Sequence, residues 1–231
     1  MTETVARIRR PKGATSREAV IAAALRVVDD VGVDALTIRA VAGAAGTPPM
    51  SLYSHFANKE ELLDLMYQAV ALRMYADTGH TTWQTQLTAV CHQIRKLFLE
   101  HPNWAPLLSR PAPPMVVPLR ERLLAMMEKE GISAPQGLNA LASAGLTSLG
   151  LVLVELGYRD AQTGSPFSTR FERIRRWTSE SGFSDGPLTR AAFEKTRQFN
   201  MGTIFDSVVT TFITGLETTF RSASHDTTTE R

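Results

Sequence analysis

With 231 residues, 43% hydrophobic, 21% charged and a formal net charge of +2, the chain has the composition of an ordinary globular protein, sized for one large domain or two small ones. It holds no unbroken apolar run of the roughly 20 residues that cross a bilayer, and no apolar segment follows its basic N-terminus, so neither a membrane partner nor a signal peptide is expected. The single cysteine, Cys91, excludes an internal disulfide and fits a reduced, cytoplasmic setting.

Charge is unevenly placed. Residues 1–59 hold eight Lys or Arg (Arg7, Arg9, Arg10, Lys12, Arg17, Arg26, Arg39, Lys59) against five acids (Glu3, Glu18, Asp29, Asp30, Asp34). Four of the basic residues crowd between Arg7 and Lys12. Such an arm, with Arg9, Arg10 and Lys12 as its candidate contacts, suits nucleic-acid phosphates; it is also what a solvated terminus looks like.

Taken in chain order, the segments read as helices. Thr15-Ser16-Arg17-Glu18 forms a capping box, opening a helix whose apolar stripe is Val20, Ala23, Ala24, Val27, Val28 and Val31. Gly32 ends it. Thr37 caps a second helix, with Ile38, Val41, Ala42 and Ala45 on its inner face, and Gly46 lets the chain turn. Thr47 caps a third, short helix from Pro48 to about His55, with Pro48 at the first position. Leu52 and Phe56 point inward, leaving Pro49, Met50, Ser51, Tyr53, Ser54 and His55 outside. A short helix with a small, polar outer face suits a DNA groove better than a core. Ala44 and Ala45 flank the turn and are structural.

Asn58 with Glu61 caps a longer helix from Lys59 to about Asp77. A lysine at a helix N-terminus is electrostatically poorly placed; a nearby phosphate would relieve it, and simple solvation is the alternative. Gly79 and the TGHTTW segment break the chain. Further helices follow over Trp83–Glu100, Val116–Glu130 and, capped by Ser133 with Gln136, from about Leu138 to Tyr158. HPNWAP is a turn with a short helical piece, and Arg110–Pro114 a loop. The helix after Ser133 is apolar almost all round, which predicts burial on most sides. Residues 159–190 are rich in Gly, Pro and Arg and read as a long excursion. A last helix, about Arg197 to Phe220, carries a broad apolar face, and the tail is polar. Two wide apolar helices after a body with its own core predict a partner surface: Leu149, Val152 and Leu156 with Val208, Phe212, Ile213 and Leu216, two helices from each of two chains. The alternative is that both lie at the centre of a monomeric bundle.

No arrangement of chemistry points to catalysis. His80, His92, His101 and His225 lack ligand-spaced partners, so no metal is expected, and no Gly-rich phosphate loop, nucleophile elbow or HExxH is present. No cofactor is expected. Glu155 is an acid in an apolar helix that either reads a ligand cation or pairs with an arginine across a dimer; the pair is favoured, since buried charges are usually matched. Tyr75, Trp83, His92, Phe98, Trp104, Met115, Met126, Met127 and Glu155 are candidate ligand contacts, with plain core packing as the competing account of the large apolar ones.

The run Ser51-Leu52-Tyr53-Ser54-His55-Phe56, followed by Asn58-Lys59-Glu60-Glu61-Leu62-Leu63, closely resembles the DNA-binding domain of the TetR family of bacterial repressors. More weakly, HPNWAPLL, the 138–158 helix and the FITGLE segment resemble the C-terminal domain of the tetracycline-repressor branch. The resemblance implies an all-α chain: a basic flexible arm (1–14), a three-helix helix-turn-helix domain (15–60), a larger helical ligand-binding and dimerisation domain (61–221) and a disordered tail (222–231). It implies a homodimer that binds a palindromic double-stranded DNA operator and releases it when a small-molecule inducer binds. By position, Thr37, Tyr53, His55 and Lys59 match phosphate contacts, and Arg39, Pro49, Met50 and Ser51 match places facing base edges; Thr47 and Ser54 complete the set. An arginine fork can pair bidentately with guanine, Pro49 and Met50 can only make apolar contacts, and Tyr53 and His55 offer single donors. Tyr75 stands where the tetracycline repressor has a drug-contacting histidine, which argues against tetracycline as ligand. A helical small-molecule carrier or enzyme without DNA function is the competing reading.

Overall fold

A computed structural model describes residues 16–110, 117–162 and 201–226, with side chains described to residue 157 in the second stretch and residue 221 in the third. Among these residues every regular element is a helix. They fall into two compact units: the described parts of Met1–Ala71 with Asn103–Met115, and those of Leu72–Pro102 with Val116–Arg231. The predicted basic arm, residues 111–114 of the predicted loop, the 163–190 part of the predicted excursion, residues 197–200 of the predicted last helix and the end of the tail lie outside the described residues.

The first unit is built on α1 (Arg17–Val31), α2 (Ile38–Ala45), α3 (Pro49–Leu52) and the start of α4 (Lys59–Met74). Helix α1 starts one residue later than the capping box suggests: Ser16 is the N-cap, its hydroxyl accepting from the Ala19 amide at 3.1 Å. Its stripe is buried as the spacing requires, except Val31 in the last turn, which is exposed. The Thr37 hydroxyl accepts from the Ala40 amide at 3.2 Å, a cap that contributes about 1 kcal/mol. Gly46 closes α2 at φ 65°, with its amide reaching the Ala42 and Gly43 carbonyls, a left-handed conformation that a Cβ would strain.

Helix α3 also begins a residue late and is shorter than predicted. Pro48, rather than Thr47, is its N-cap, and Pro49 is the first helical residue. After Leu52 the chain passes into turns, with the Tyr53 amide donating to Met50 O and the His55 amide to Leu52 O at 2.8 Å. Side-chain spacing hardly changes, so Leu52 and Phe56 are buried as expected. Helix α4 opens on the predicted cap: Asn58 Oδ1 accepts from the Glu61 amide at 2.9 Å, and Glu61 Oε2 accepts from the Ala57 amide at 2.7 Å. It ends at Met74, short of Asp77.

After His101, the HPNWAPLL segment forms a 3-10 helix, Pro102–Ser109, which from Asn103 on belongs to this first unit. Trp104 is buried there, its indole N–H donating to the Leu25 carbonyl at 3.2 Å, and Asn103 donates to the Asp29 carbonyl at 2.8 Å. Arg110 pairs with Glu60 and lies 3.6 Å from Asp64, both in the first turns of α4.

The second unit comprises α5 (Trp83–Glu100), α6 (Pro118–Lys129), α7 (Ala134–Gln162) and α8 (Met201–Asp226). Helix α5 packs against the other three. It buries Leu87, Val90, Cys91, Ile94 and Phe98 on one face. Helix α8 continues past Phe220 into the segment predicted as tail.

Helix α7 departs from expectation twice. Over Ala134–Gly157 its mean hydropathy of 1.6 and its length are enough to cross a membrane, although polar residues interrupt its apolar run. A central helix of a helical bundle meets the same test, and Ala140, Ala144, Ser148, Val152 and Glu155 are indeed buried within the unit. Yet α7 is not buried on most sides: Leu138, Leu146, Leu153 and Val154 are exposed. Glu155 meets its arginine inside the same chain, with Arg95 Nε at 2.7 Å and Nη2 at 2.8 Å from its two oxygens.

Candidate functional site

In the first unit, the buried residues Val41, Ala42, Leu52 and Phe56 fix the orientation of α2 and α3. What remains outside is the predicted set. Thr37, Arg39, Pro49, Met50, Ser51, Tyr53 and Ser54 are exposed, and Thr47, His55 and Lys59 are half-buried. Met50 is 78% exposed, a large apolar side chain held in water by a helical turn too short to bury it. The Tyr53 ring leans on Phe56 at 6.0 Å, so its body packs while its edge stays wet. Arg9, Arg10 and Lys12 lie outside the described residues.

Among the described residues, Arg39 and Lys59 form no ion pair, whereas neighbouring charges are spent on structure. Arg17 pairs with Glu61 at 3.3 Å, and Arg26 donates to the Ala44 carbonyl. Among the described residues of the first unit, Arg39 on the α2–α3 face and Lys59 at the start of α4 thus stay available to meet a guanine edge or phosphate.

The second unit holds a cavity of about 200 Å³, lined by Tyr75 after α4, Leu87 and Val90 of α5, Val117, Leu119, Arg120 and Leu123 at α6, and Leu138, Leu141 and Ala142 of α7. The loop after Tyr75 is stapled in place. Asp77 accepts from the Gly79 amide at 2.8 Å, and Gly79 sits at φ 80°. Gln86 Oε1 accepts from Thr78 and from the His80 amide, while Arg122 of α6 pairs with Asp77 and donates to the His80 carbonyl. The Gly79 amide, helped by Arg122, holds the Asp77 carboxyl below the usual carboxylate range. A second hollow of about 410 Å³, lined by Trp83, Arg122, Met126, Lys129 and Glu130 among others, is open and polar-rimmed. Its Trp83 N–H already donates to Glu130 at 2.8 Å.

These positions re-sort the predicted ligand residues. Tyr75 lines the first cavity; Trp83 and Met126 border the second hollow. Phe98 and Met127 are core, and Trp104 is core of the other unit. His92 is exposed, 3.8 Å from Asp206 and against the Phe205 ring. Glu155 is taken by Arg95, and Met115 lies outside the described residues. Arg120 and the aliphatic walls were missed, because a cavity belongs to the space between helices and leaves no spacing signal in any one of them. Among the predicted interface residues, Val152 and Ile213 are buried in the chain itself, and Leu149, Leu156, Val208, Phe212 and Leu216 are half-buried; the exposed apolar residues of α7 are Leu138, Leu146, Leu153 and Val154.

A helix-turn-helix with an exposed polar face, followed by a separate all-helical unit with its own cavity, defines the class as a two-part helical protein with a DNA reader. Comparison places it within that class. Residues 20–66 match the family of bacterial regulatory proteins named tetR, and residues 76–220 match the tetracyclin repressor-like C-terminal domain. The chain belongs to the tetR family, whose members are DNA-binding transcriptional regulators. Among its relatives, the transcriptional repressor DrrR1 of Streptomyces coeruleorubidus is 31% identical over 58% of this chain and 51% of its own length, so the match spans about half of that protein. The class D tetracycline repressor of Escherichia coli is 30% identical over 65% of this chain and 71% of its own. In fold the chain is similar to SCO7222, a TetR from Streptomyces coelicolor (TM-score 0.64, 24% identity, 87% and 97% of the two chains). It is also similar to ActR from the same organism in complex with actinorhodin (TM-score 0.64, 22% identity, 89% and 98%).

Proposed function

We propose that this chain is a transcriptional repressor that binds a palindromic operator as a homodimer and is released by a small molecule bound in the cavity at Tyr75. The observation that carries the DNA part is the α2–α3 face. Its apolar residues are inside, while Arg39, Pro49, Met50, Ser51 and Tyr53 are exposed together at the turn of a helix-turn-helix. In this reading Arg39 reads a base edge, Pro49 and Met50 pack on base methyls, and Thr37, Thr47, Tyr53, Ser54, His55 and Lys59 hold phosphates. Arg9, Arg10 and Lys12 add phosphate contacts from the arm. The chain acts in the cytoplasm, where its operator is.

Release follows from geometry. Helix α4 is continuous from Lys59, beside the reading face, to Met74, whose neighbour Tyr75 lines the cavity. A ligand that favours one position of Tyr75 biases α4 and with it the separation of the two readers of a dimer, which must match half-sites about 34–36 Å apart. The apolar residues exposed on α7 support pairing through that helix. The class D tetracycline repressor and DrrR1 support the repressor sign by their names.

The test is fluorescence anisotropy on duplex across a salt series. A reader gives a steep negative slope of log affinity against log salt, and Lys59→Ala lowers that slope by about one. A protein that fails to bind duplex at low salt is no repressor.

A further inference from the structure

We infer that the cavity of the second unit takes a compact, largely apolar organic carboxylate whose anionic end is met by Arg120; this rests on the reading of that cavity as the ligand site. Its walls are aliphatic except at two places, the Tyr75 phenol and Arg120, and Arg120 is the single charged residue among those that line it. The two arginines of α6 differ. Arg122 is engaged by Asp77 and by the His80 carbonyl. Arg120 is half-buried, and among the described residues its guanidinium forms neither an ion pair nor a hydrogen bond.

A guanidinium at the edge of an apolar cavity has given up part of its hydration and received no carboxylate in return. A ligand with no acceptor there would complete that desolvation without compensation, a neutral acceptor would repay only part of it, and a cation would be repelled. A carboxylate accepts the planar fork through two parallel charge-assisted hydrogen bonds. Asp77, the acid that engages the other arginine of α6, is held by Arg122 and the Gly79 amide. The volume of about 200 Å³ sets the rest of the ligand as a compact ring system. It lies below the roughly 300–1,000 Å³ usual for drug-sized molecules.

The experiment uses the full chain and two probes of nearly one shape, 2-naphthoate and 2-naphthamide, titrated by calorimetry. The parent is expected to bind the carboxylate at least about tenfold more tightly than the amide. Arg120→Gln is expected to abolish that preference while still binding the amide, and Arg120→Glu to turn it toward 2-naphthylmethylammonium; either variant decides alone. Equal binding of both probes by the parent overturns the anion preference and leaves the ligand cavity standing. A preference that survives in Arg120→Gln overturns the role of Arg120. Binding of neither probe overturns the inference and the cavity reading together.

Discussion

Gly145 of α7 faces Tyr75 so closely that a Cβ at position 145 would stand 2.9 Å from the Tyr75 hydroxyl. The glycine therefore sets where the phenol sits in the cavity wall. Gly145→Ala gains about 1 kcal/mol of helix propensity and loses about 1–3 kcal/mol to overpacking, for a net cost near 0–2 kcal/mol. The larger effect is on the ligand: with the phenol displaced, probe affinity falls while the melting temperature changes by only a few degrees. Calorimetry and thermal denaturation on the same sample separate the two.

The Arg95–Glu155 pair ties α5 to α7 across 60 residues of sequence. Glu155 is only 7% exposed at its side chain, and Arg95 also lies over the Phe205 ring at 5.4 Å. Arg95→Ala removes the guanidinium that engages both oxygens of a buried carboxylate and costs about 3 kcal/mol, the lower end for such pairs because Arg95 is partly solvated. Arg95→Met combined with Glu155→Leu costs less than Arg95→Ala. Urea denaturation of the three proteins checks the order; a double variant less stable than Arg95→Ala would contradict it.

Asp77 has a carboxyl held below its ordinary value of 3.8, mainly by the Gly79 amide and also by Arg122. A depressed pKa in the folded state adds stability that is complete above the unfolded value and is lost as pH falls through the folded one. Asp77→Asn is thus expected to be less stable than the parent at pH 6, with the gap narrowing as pH drops below about 4. Melting curves between pH 3 and 7 measure it.

For the proposed dimer, exposure redirects attention along α7. Leu146 is 72% exposed, whereas Val152 is 1% exposed in the single chain. Leu146→Glu is expected to shift sedimentation from dimer to monomer with little change in secondary structure. Val152→Ala is expected to lower stability by about 1–3 kcal/mol and leave the dimer intact.

The local grammar of the first unit was readable because its signals are local. Thr37, Asn58 and Glu61 cap within four residues, and Leu52 and Phe56 bury at helical spacing whether the intervening residues are helix or turn. The same tolerance explains the miss at α3: Pro48 and Pro49 both fit a helix start, and the i→i+3 turns of Tyr53 and His55 keep the phase of a longer helix. In the second unit the deciding relations are distant. Large residues such as Phe98 and Met127 look like cavity walls in sequence because size is visible there; they prove to be core, as does Trp104 in the first unit, since large apolar groups fill space first. Arg120 sits beside the Leu119–Leu123 stripe and looks like any flanking cation until α7 and Tyr75 are placed around it. Glu155 was legible as a charge needing a partner, but not that the partner is Arg95.

The central claim is that two copies of the α2–α3 face read one symmetric site. Selection of bound sequences from a random duplex pool tests it most directly. The account predicts enrichment of an inverted repeat whose half-site centres lie about 10–10.5 base pairs, or a multiple of that, apart. Enrichment of a single asymmetric site, or none above the input pool, would contradict it.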